Sequence, residues 1–521
     1  LREPPLKSSS DTYALSRLTF GLNEASADNV ARQGLRGWLE EQLRPEDARD
    51  AACVQRIADF RLRIRYGESK DWPAVDEPRT LKWLDAPIER LSALTDPAKP
   101  VANPEKTRPR AEVIAATLLR AVYSHWQLRE VLCDFWHNHF SVNAWDNSVG
   151  ITLPVYDRDV IRCHAFGNFR EMLEAVGKST AMLWYLNNRS SRTGAPNENY
   201  ARELFELHTM GRDAYLNGLY NRWRDVPGAS KGKPIGYIDQ DVYEAARAFT
   251  GWGIEDGAGL GGGQMLPRSG RFAYVESWHD NYQKRVLATE FDPYQPAQAD
   301  GKKVLDLAAF HPATARFLAK KLCIRLVADN PPESLVTSTA KVWTDNIEKS
   351  DQIARVVAHI ALSKDFGQIR GSKIKRPLEL VASYARATGV EFVPTEGLVG
   401  EMDAAGQRLF GWPTPTGHPD TADYWLGANT MRRRWTLVAG LTDNWWGTGV
   451  FDALVPFGDK EAVAEKLIAY WSERLYGDTF PLLTPSLMNA AGLLPGSTVR
   501  NPAVARRLVA WAAMSPDYQL R

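Results

Sequence analysis

Between residues 112 and 139 apolar side chains return every three or four positions, at Val113, Ile114, Leu118, Val122, Trp126, Leu132, Phe135 and Trp136. A period near 3.6 gathers them on one stripe of an α-helix, and a stripe so wide and aromatic has to be buried against other helices. Similar periodicity recurs at residues 26–43, 51–65, 239–250, 311–327, 353–363, 377–388, 432–444, 462–476 and 503–514. The expectation is a mainly α protein: a large helical domain, as a multi-helix bundle or helical array, with one small β-hairpin insertion. A chain of 521 residues exceeds the ~250–300 at which single cores usually stop growing, so one large domain or two closely packed helical subdomains are expected.

Two stretches break the helical pattern. Residues 72–109 are rich in Pro, Lys and Asp and read as an extended surface excursion. Residues 251–296 are glycine-rich and then aromatic, with rough alternation at Phe272, Tyr274 and Val275, which predicts the hairpin. The G-x-G-x-x-G spelling at Gly257 to Gly262 leads into Pro267, where a dinucleotide fold needs a helix, and G-x-S-x-G at Gly228 to Gly232 follows polar residues instead of a buried strand. No cofactor is called for.

Lys and Arg number 64 against 63 Asp and Glu, a net charge of +1 that gives nucleic acid no global field to respond to. No window approaches the ~18 apolar residues of a membrane helix. The four cysteines are far apart and form no C-x-x-C pair, so a zinc knuckle is excluded, while two disulfides stay conceivable. The chain opens at Leu1-Arg2-Glu3-Pro4-Pro5 with neither methionine nor an apolar signal core, as expected of a trimmed or processed chain. Tryptophan is as frequent as phenylalanine and tyrosine, 18 of each, and such a surplus serves either a large core or sugar-stacking platforms.

Five segments carry candidate chemistry. In Phe135-Trp136-His137-Asn138-His139-Phe140 the two imidazoles lie two residues apart, about 200° around a helix, so they cannot share an ion unless the helix has ended. His139 follows Leu132 and Phe135 on the inward face, as a core histidine or a catalytic one. In residues 196–208, Glu198, Arg202 and Glu206 recur at the spacing of a salt-bridge stripe, whereas Glu203 falls between Asn199 and Leu207 on another face. A glutamate turned inward must be paired, protonated or functional. Trp278-His279-Asp280 ends the presumed hairpin, either as a polar turn or as an acid/base pair, and Tyr156-Asp157-Arg158-Asp159 with His164 forms a polar cluster that capping and ion pairing explain in large part. Gly411-Trp412-Pro413-Thr414-Pro415-Thr416-Gly417-His418-Pro419 is a stiff loop presenting an aromatic.

Together with Leu15 to Gly21, residues 241–252, His311 to Phe317, Lys375 to Leu380 and Phe410 to Pro419, these segments resemble, over nearly the whole chain, the bacterial family known as the domain of unknown function eighteen-hundred. The resemblance supports His139, His164, Glu198, Arg202, Glu203, His279 and Asp280 as matching positions and lowers His137 and His208, where family members often carry another residue. It implies a bacterial origin and a periplasmic or secreted location, and it supplies no activity. The leading expectation is a glycan hydrolase using Glu203 with Glu198 or Asp280 as the carboxyl pair, tuned by His139 or His279. Substrate contacts are then expected from Trp412, Arg202, Asn199, Tyr200, Trp278 and His164, and the partner is a carbohydrate polymer or oligosaccharide. The alternatives are a metal-dependent enzyme using His139, His164, His279 and Asp280, and a non-catalytic glycan-binding or scaffold protein.

Overall fold

In a computed structural model the described residues are 9–368, 373–458, 460–477 and 483–521, and Leu1 to Pro5 lie outside them. The helix most completely enclosed is Pro377–Thr388, all twelve of whose residues are buried. It packs against Asn103–Tyr123, Ala428–Thr442 and Ala464–Tyr476. Its buried polar groups are all engaged: Arg386 donates to the carbonyls of Gly21 and Val122, both at 2.8 Å, and to Ser26 Oγ at 3.1 Å. The partner segment comes so close at Gly21, where φ is +129°, that a Cβ there would lie 2.4 Å from Ser383 Cβ. Only glycine fits.

The chain is mainly α, and its strands form short pairs. One hydrophobic core runs from Tyr13 to Tyr518, joined by a satellite of Trp83, Ala86, Leu91, Leu94 and Ile151. Helix ends follow the sequence pattern closely at Asp239–Ala248, Pro312–Leu326, Gln352–Ala361 and Pro502–Ala513. Among the described residues no helix is long and apolar enough to cross a membrane. All four cysteines are free thiols; Cys53, Cys133 and Cys323 are buried and Cys163 is exposed.

Three local expectations are revised. The apolar stretch at 112–139 is two helices, Asn103–Tyr123 and Gln127–His139, broken at Ser124 to Trp126. The break is held by a residue far away in sequence: Asp50 accepts from Ser124 Oγ and from the His125 N–H, both at 2.8 Å, while Ser124 Oγ accepts from the Trp126 N–H at 3.0 Å. Helical periodicity at 51–65 stops at Ala51–Asp59, and Arg61–Tyr66 pairs with Val75–Thr80 as an antiparallel hairpin. Residues 72–109 thus hold a strand, the short helix Ile88–Ser92 and the start of Asn103–Tyr123, and they bury Trp83 and Leu91. Within 251–296 the expected pairing occurs between Trp252–Ile254 and Phe272–Tyr274, with two smaller ladders beside it.

Because Asp50 satisfies two donors at the helix break, Asp50→Ala leaves both without their partner, at a cost of about 1–3 kcal/mol. Urea unfolding should show a lower midpoint with an unchanged slope. An unchanged midpoint would mean that the break is set elsewhere.

Candidate functional site

The last turn of Gln127–His139 sends three consecutive polar side chains in three directions. Phe140 leaves helical geometry while its N–H still bonds the Trp136 carbonyl at 2.8 Å. His137 and His139 project to opposite sides, as their spacing requires, and share no ligand position.

On one side His137 Nε2 donates to Asp157 Oδ1 at 2.9 Å. Asp157 sits in the π-helical segment Tyr156–Arg162, whose Arg162 returns to Asp157 at 2.9 Å and grips both oxygens of Glu130 at 2.7 and 2.9 Å. Burial opposes ionisation of Asp157, yet Arg162, His137 and Arg120 hold its carboxyl far below the usual carboxylate range. These groups line a chamber of about 40 Å³ with Asp134, Arg376 and His418. A volume so far below the ~300–1,000 Å³ of a ligand pocket admits no sugar ring. The chamber is a rigid polar interior, and any large substrate must lie outside it.

In the middle, Asn138 pins the loop at 411–419. Its Nδ2 donates to the His418 carbonyl at 2.9 Å, and its Oδ1 accepts from the His418 N–H at 2.7 Å. Gly417, at φ +71°, lies where a Cβ would meet the Asn138 carbonyl oxygen at 2.2 Å. Trp412 is half-buried, packs on His418 at 4.8 Å between ring centres, and donates its indole N–H to Thr416 Oγ1 at 3.1 Å. Burial pushes the His418 imidazole down to about 4.

On the other side His139 is enclosed. Its Nε2 donates to the His208 carbonyl at 3.1 Å, which fixes the tautomer, and its Nδ1 accepts from Lys321 Nζ at 3.1 Å. Burial, with the nearby Lys321 and His208, holds His139 well below the ordinary histidine range. His208 is 0% exposed, and neither ring nitrogen has a hydrogen-bond partner among the described residues. Its burial, with Lys321 nearby, lowers it to about 3.

Glu203 ends the helix Glu198–Glu203, just before the π-helical turn Leu204–His208. The helix starts where Asn197 Oδ1 accepts from the Asn199 N–H at 3.0 Å. Glu198 pairs with Arg202 at 3.0 Å, but the wider turn carries Glu206 away from that stripe to Arg212, at 2.5 Å. The Glu203 carboxyl makes no hydrogen bond or ion pair among the described residues. Half-burial and the neighbouring Glu206 carboxylate raise its pKa, against the opposing pull of Arg212 and Arg202. Burial, with the Glu203 carboxylate as a smaller influence, pushes the Tyr185 phenol up, and Tyr185 donates to the Pro413 carbonyl at 3.2 Å, beside Trp412. Tyr185 is thereby tied to the 411–419 loop.

Other expected site residues are spent elsewhere. Arg247 holds both oxygens of Asp280, at 2.8 and 3.1 Å. His279 Nδ1 donates to the Thr250 carbonyl at 2.8 Å, and Nε2 lies 3.3 Å from an Asp300 oxygen that also takes Lys284 Nζ at 2.7 Å. Trp278 is buried beneath the Arg192 guanidinium. Tyr200 is 1% exposed and wedged against Gly177, so it is a core residue. Asn199 is exposed, and His164 donates through Nδ1 to the Val160 carbonyl at 2.8 Å. Among the described residues no three His, Cys, Asp or Glu side chains are grouped to hold a metal ion, so His139, His164, His279 and Asp280 form no such centre. Lys321, Tyr185 and the His137–Asp157 pair are the residues that spacing alone did not assemble.

A family described as "Protein of unknown function (DUF1800)" matches residues 13–520, and the chain belongs to it. No curated protein and no solved structure matches.

The three buried imidazoles carry a pH signature. Below the ordinary value near 6.5 the unfolded chain takes up protons that folded His139, His208 and His418 refuse, so stability falls as pH drops from about 6.5. Each contributes up to about 1.4 kcal/mol per pH unit. His208→Phe removes one of these contributions, so its urea-derived stability should depend on pH between 6 and 4.5 with a slope shallower by about that amount. Equal slopes for variant and wild type would contradict a neutral, unpartnered His208.

Proposed function

We propose that this chain hydrolyses a glycosidic bond, with Glu203 as the proton donor and the 411–419 loop, to which Tyr185 is bonded, as the platform for the sugar. The observation that carries the reading is the state of the Glu203 carboxyl: half-buried, without a partner, and with its pKa raised by burial and by Glu206. A general acid has to hold its proton near neutral pH and yet reach the leaving oxygen, and an unpaired carboxyl with raised pKa meets both conditions. Trp412 and Tyr424, whose rings meet edge to face at 5.6 Å, supply apolar faces suited to sugar rings.

The second carboxylate differs from the expected one. Asp280 has both oxygens committed to Arg247 and is not free to attack or to activate water, whereas Glu198 and Glu206 are each held by a single arginine, and of these two Glu206 is the one that acts on Glu203. Glu206, three residues beyond Glu203, is the carboxylate whose charge adds to burial in raising Glu203, and it pairs with Arg212. In this reading the two carboxyls divide the roles: Glu203 protonates the departing oxygen, and Glu206 serves the opposite step. The substrate class is a carbohydrate polymer or oligosaccharide.

Glu203→Gln should reduce hydrolysis of natural glycans by about 10²–10⁴-fold while leaving binding in place. A glycoside with a dinitrophenol leaving group, which needs no protonation, should still release dinitrophenol rapidly with the variant. Turnover of a natural glycan by Glu203→Gln at the wild-type rate would overturn the reading. Glycan binding without turnover in both proteins would mark a binding or scaffold role instead.

A further inference from the structure

Among the described residues, buried lysines find acceptors, with one exception. Lys284 Nζ donates to Asp300 and to the carbonyls of Asp280 and Tyr282. Lys373 donates to Asp329 and to the Asp420 carbonyl, and Lys321 to His139 Nδ1. Lys375 is 6% exposed, and its Nζ makes no hydrogen bond or ion pair among the described residues. It lies instead over the Tyr518 ring, 3.3 Å from the ring centre.

The backbone holds Lys375 firmly just ahead of the Pro377–Thr388 helix. Its N–H donates to the Gln519 carbonyl at 2.8 Å, and its carbonyl accepts from Arg434 Nη1 at 2.6 Å. Charges around the amine oppose an ammonium. Arg434 and Arg521 are close enough to disfavour it, and the one carboxylate that helps, Glu379, is already shared by Arg325, Arg376 and Arg521. Burial is the largest influence, and together these hold Lys375 well below the ordinary lysine range. The side chain forms part of the wall of a partly open cavity of about 240 Å³, along with Ser16, Thr19, Ser383, Tyr476 and Asp517. Ser383 Oγ and Tyr518 OH are hydrogen-bonded to each other at 2.9 Å on the same side of the molecule. None of these residues belongs to the Glu203 region.

We propose that Lys375 is the nucleophile of a second reactive site, which captures a short-chain aldehyde or ketone as an imine in this cavity. The Nζ lone pair adds to the carbonyl carbon, and the carbinolamine that results then loses water. The C=O bond is replaced by C=N, and the carbonyl oxygen departs with the two hydrogens of the amine. No oxidant or reductant takes part. A volume below the ~300 Å³ of the smallest usual ligand pockets restricts the carbonyl compound to a few carbons, and the hydroxyl-lined wall favours one bearing hydroxyl groups.

The test uses the full chain, glycolaldehyde and cyanoborohydride at about pH 6.5, with the reduced adduct located by peptide mass mapping. At that pH a lysine of ordinary pKa near 10.4 is unprotonated in only about one molecule in 10⁴. Lys375 should therefore be modified at least 10-fold faster than the exposed lysines. Lys375→Met should lose that adduct and leave the others as they were. Folded wild-type protein in which exposed lysines react while Lys375 stays unmodified would overturn the proposal. Equal modification of Lys321 and Lys375 would overturn it too, because low basicity without the cavity would then be enough. Neither result bears on the Glu203 reading.

Discussion

The architecture depends on a buried ion network that closes only when four distant parts of the chain meet. Asp134, on the helix that ends at His139, takes Arg325 from Pro312–Leu326 at 3.0 Å and also Arg376. Glu379, in the first turn of Pro377–Thr388, takes Arg325, Arg376 and, at 3.0 Å, Arg521. It also accepts from the Arg376 N–H at 2.7 Å, so one carboxylate caps the helix and joins it to its neighbours. Removing a partner from a buried pair costs about 3–5 kcal/mol, because the charge left behind has no water to turn to. The net benefit of such a network over apolar packing is small. What it enforces is register: a helix that slipped by one residue would strand an arginine in the core.

That register has chemical consequences at the end of Gln127–His139. Fixing Asp134 fixes the rotation of the helix, and rotation decides where His137, Asn138 and His139 point three to five residues later. His137 then meets Asp157, Asn138 meets the backbone of His418, and His139 meets Lys321 and the His208 carbonyl. Two of the connecting segments, Tyr156–Arg162 and Leu204–His208, are wound as π-helix, a form that gives up hydrogen-bond geometry to carry an extra residue per turn. In the second of these, that extra residue separates Glu206 from the Glu198–Arg202 pair and leaves Glu203 next to a like charge. The acidity of Glu203 thus follows from backbone winding as well as from burial.

How much of this could be read in advance depended on whether the deciding partner was local. The Pro377–Thr388 boundaries follow from proline at the start and glycine after the end, both inside the segment. The position of Glu203 off the stripe also follows from spacing over eight residues. By contrast, the break at Ser124 rests on Asp50, and the neutralisation of Asp280 rests on Arg247, 33 positions away. Nothing near Asp280 in sequence distinguishes a catalytic acid from one closed by an arginine. Periodicity likewise made residues 112–139 one helix, since the apolar stripe continues through a break that only tertiary hydrogen bonds reveal. The surroundings of Lys375 are equally non-local, since they depend on Tyr518, Arg434 and Arg521.

The contrast between paired and unpaired groups is what gives the exceptions their weight. A fold that supplies three guanidinium groups to Glu379 and two acceptor carbonyls besides Asp300 to Lys284 can satisfy buried charge where stability requires it. Leaving Glu203, His208 and Lys375 without partners forgoes stabilisation that the same chain achieves elsewhere. Glu203 and Lys375 share this property but require opposite protonation: a carboxyl that keeps its proton can give one up to a leaving oxygen, whereas an amine that has lost its proton can attack a carbonyl carbon. Burial alone drives both shifts in the required direction, because it penalises whichever form is charged. One elementary effect, the penalty on a buried charge, thus supports the proposed acid at one place and the proposed nucleophile at the other.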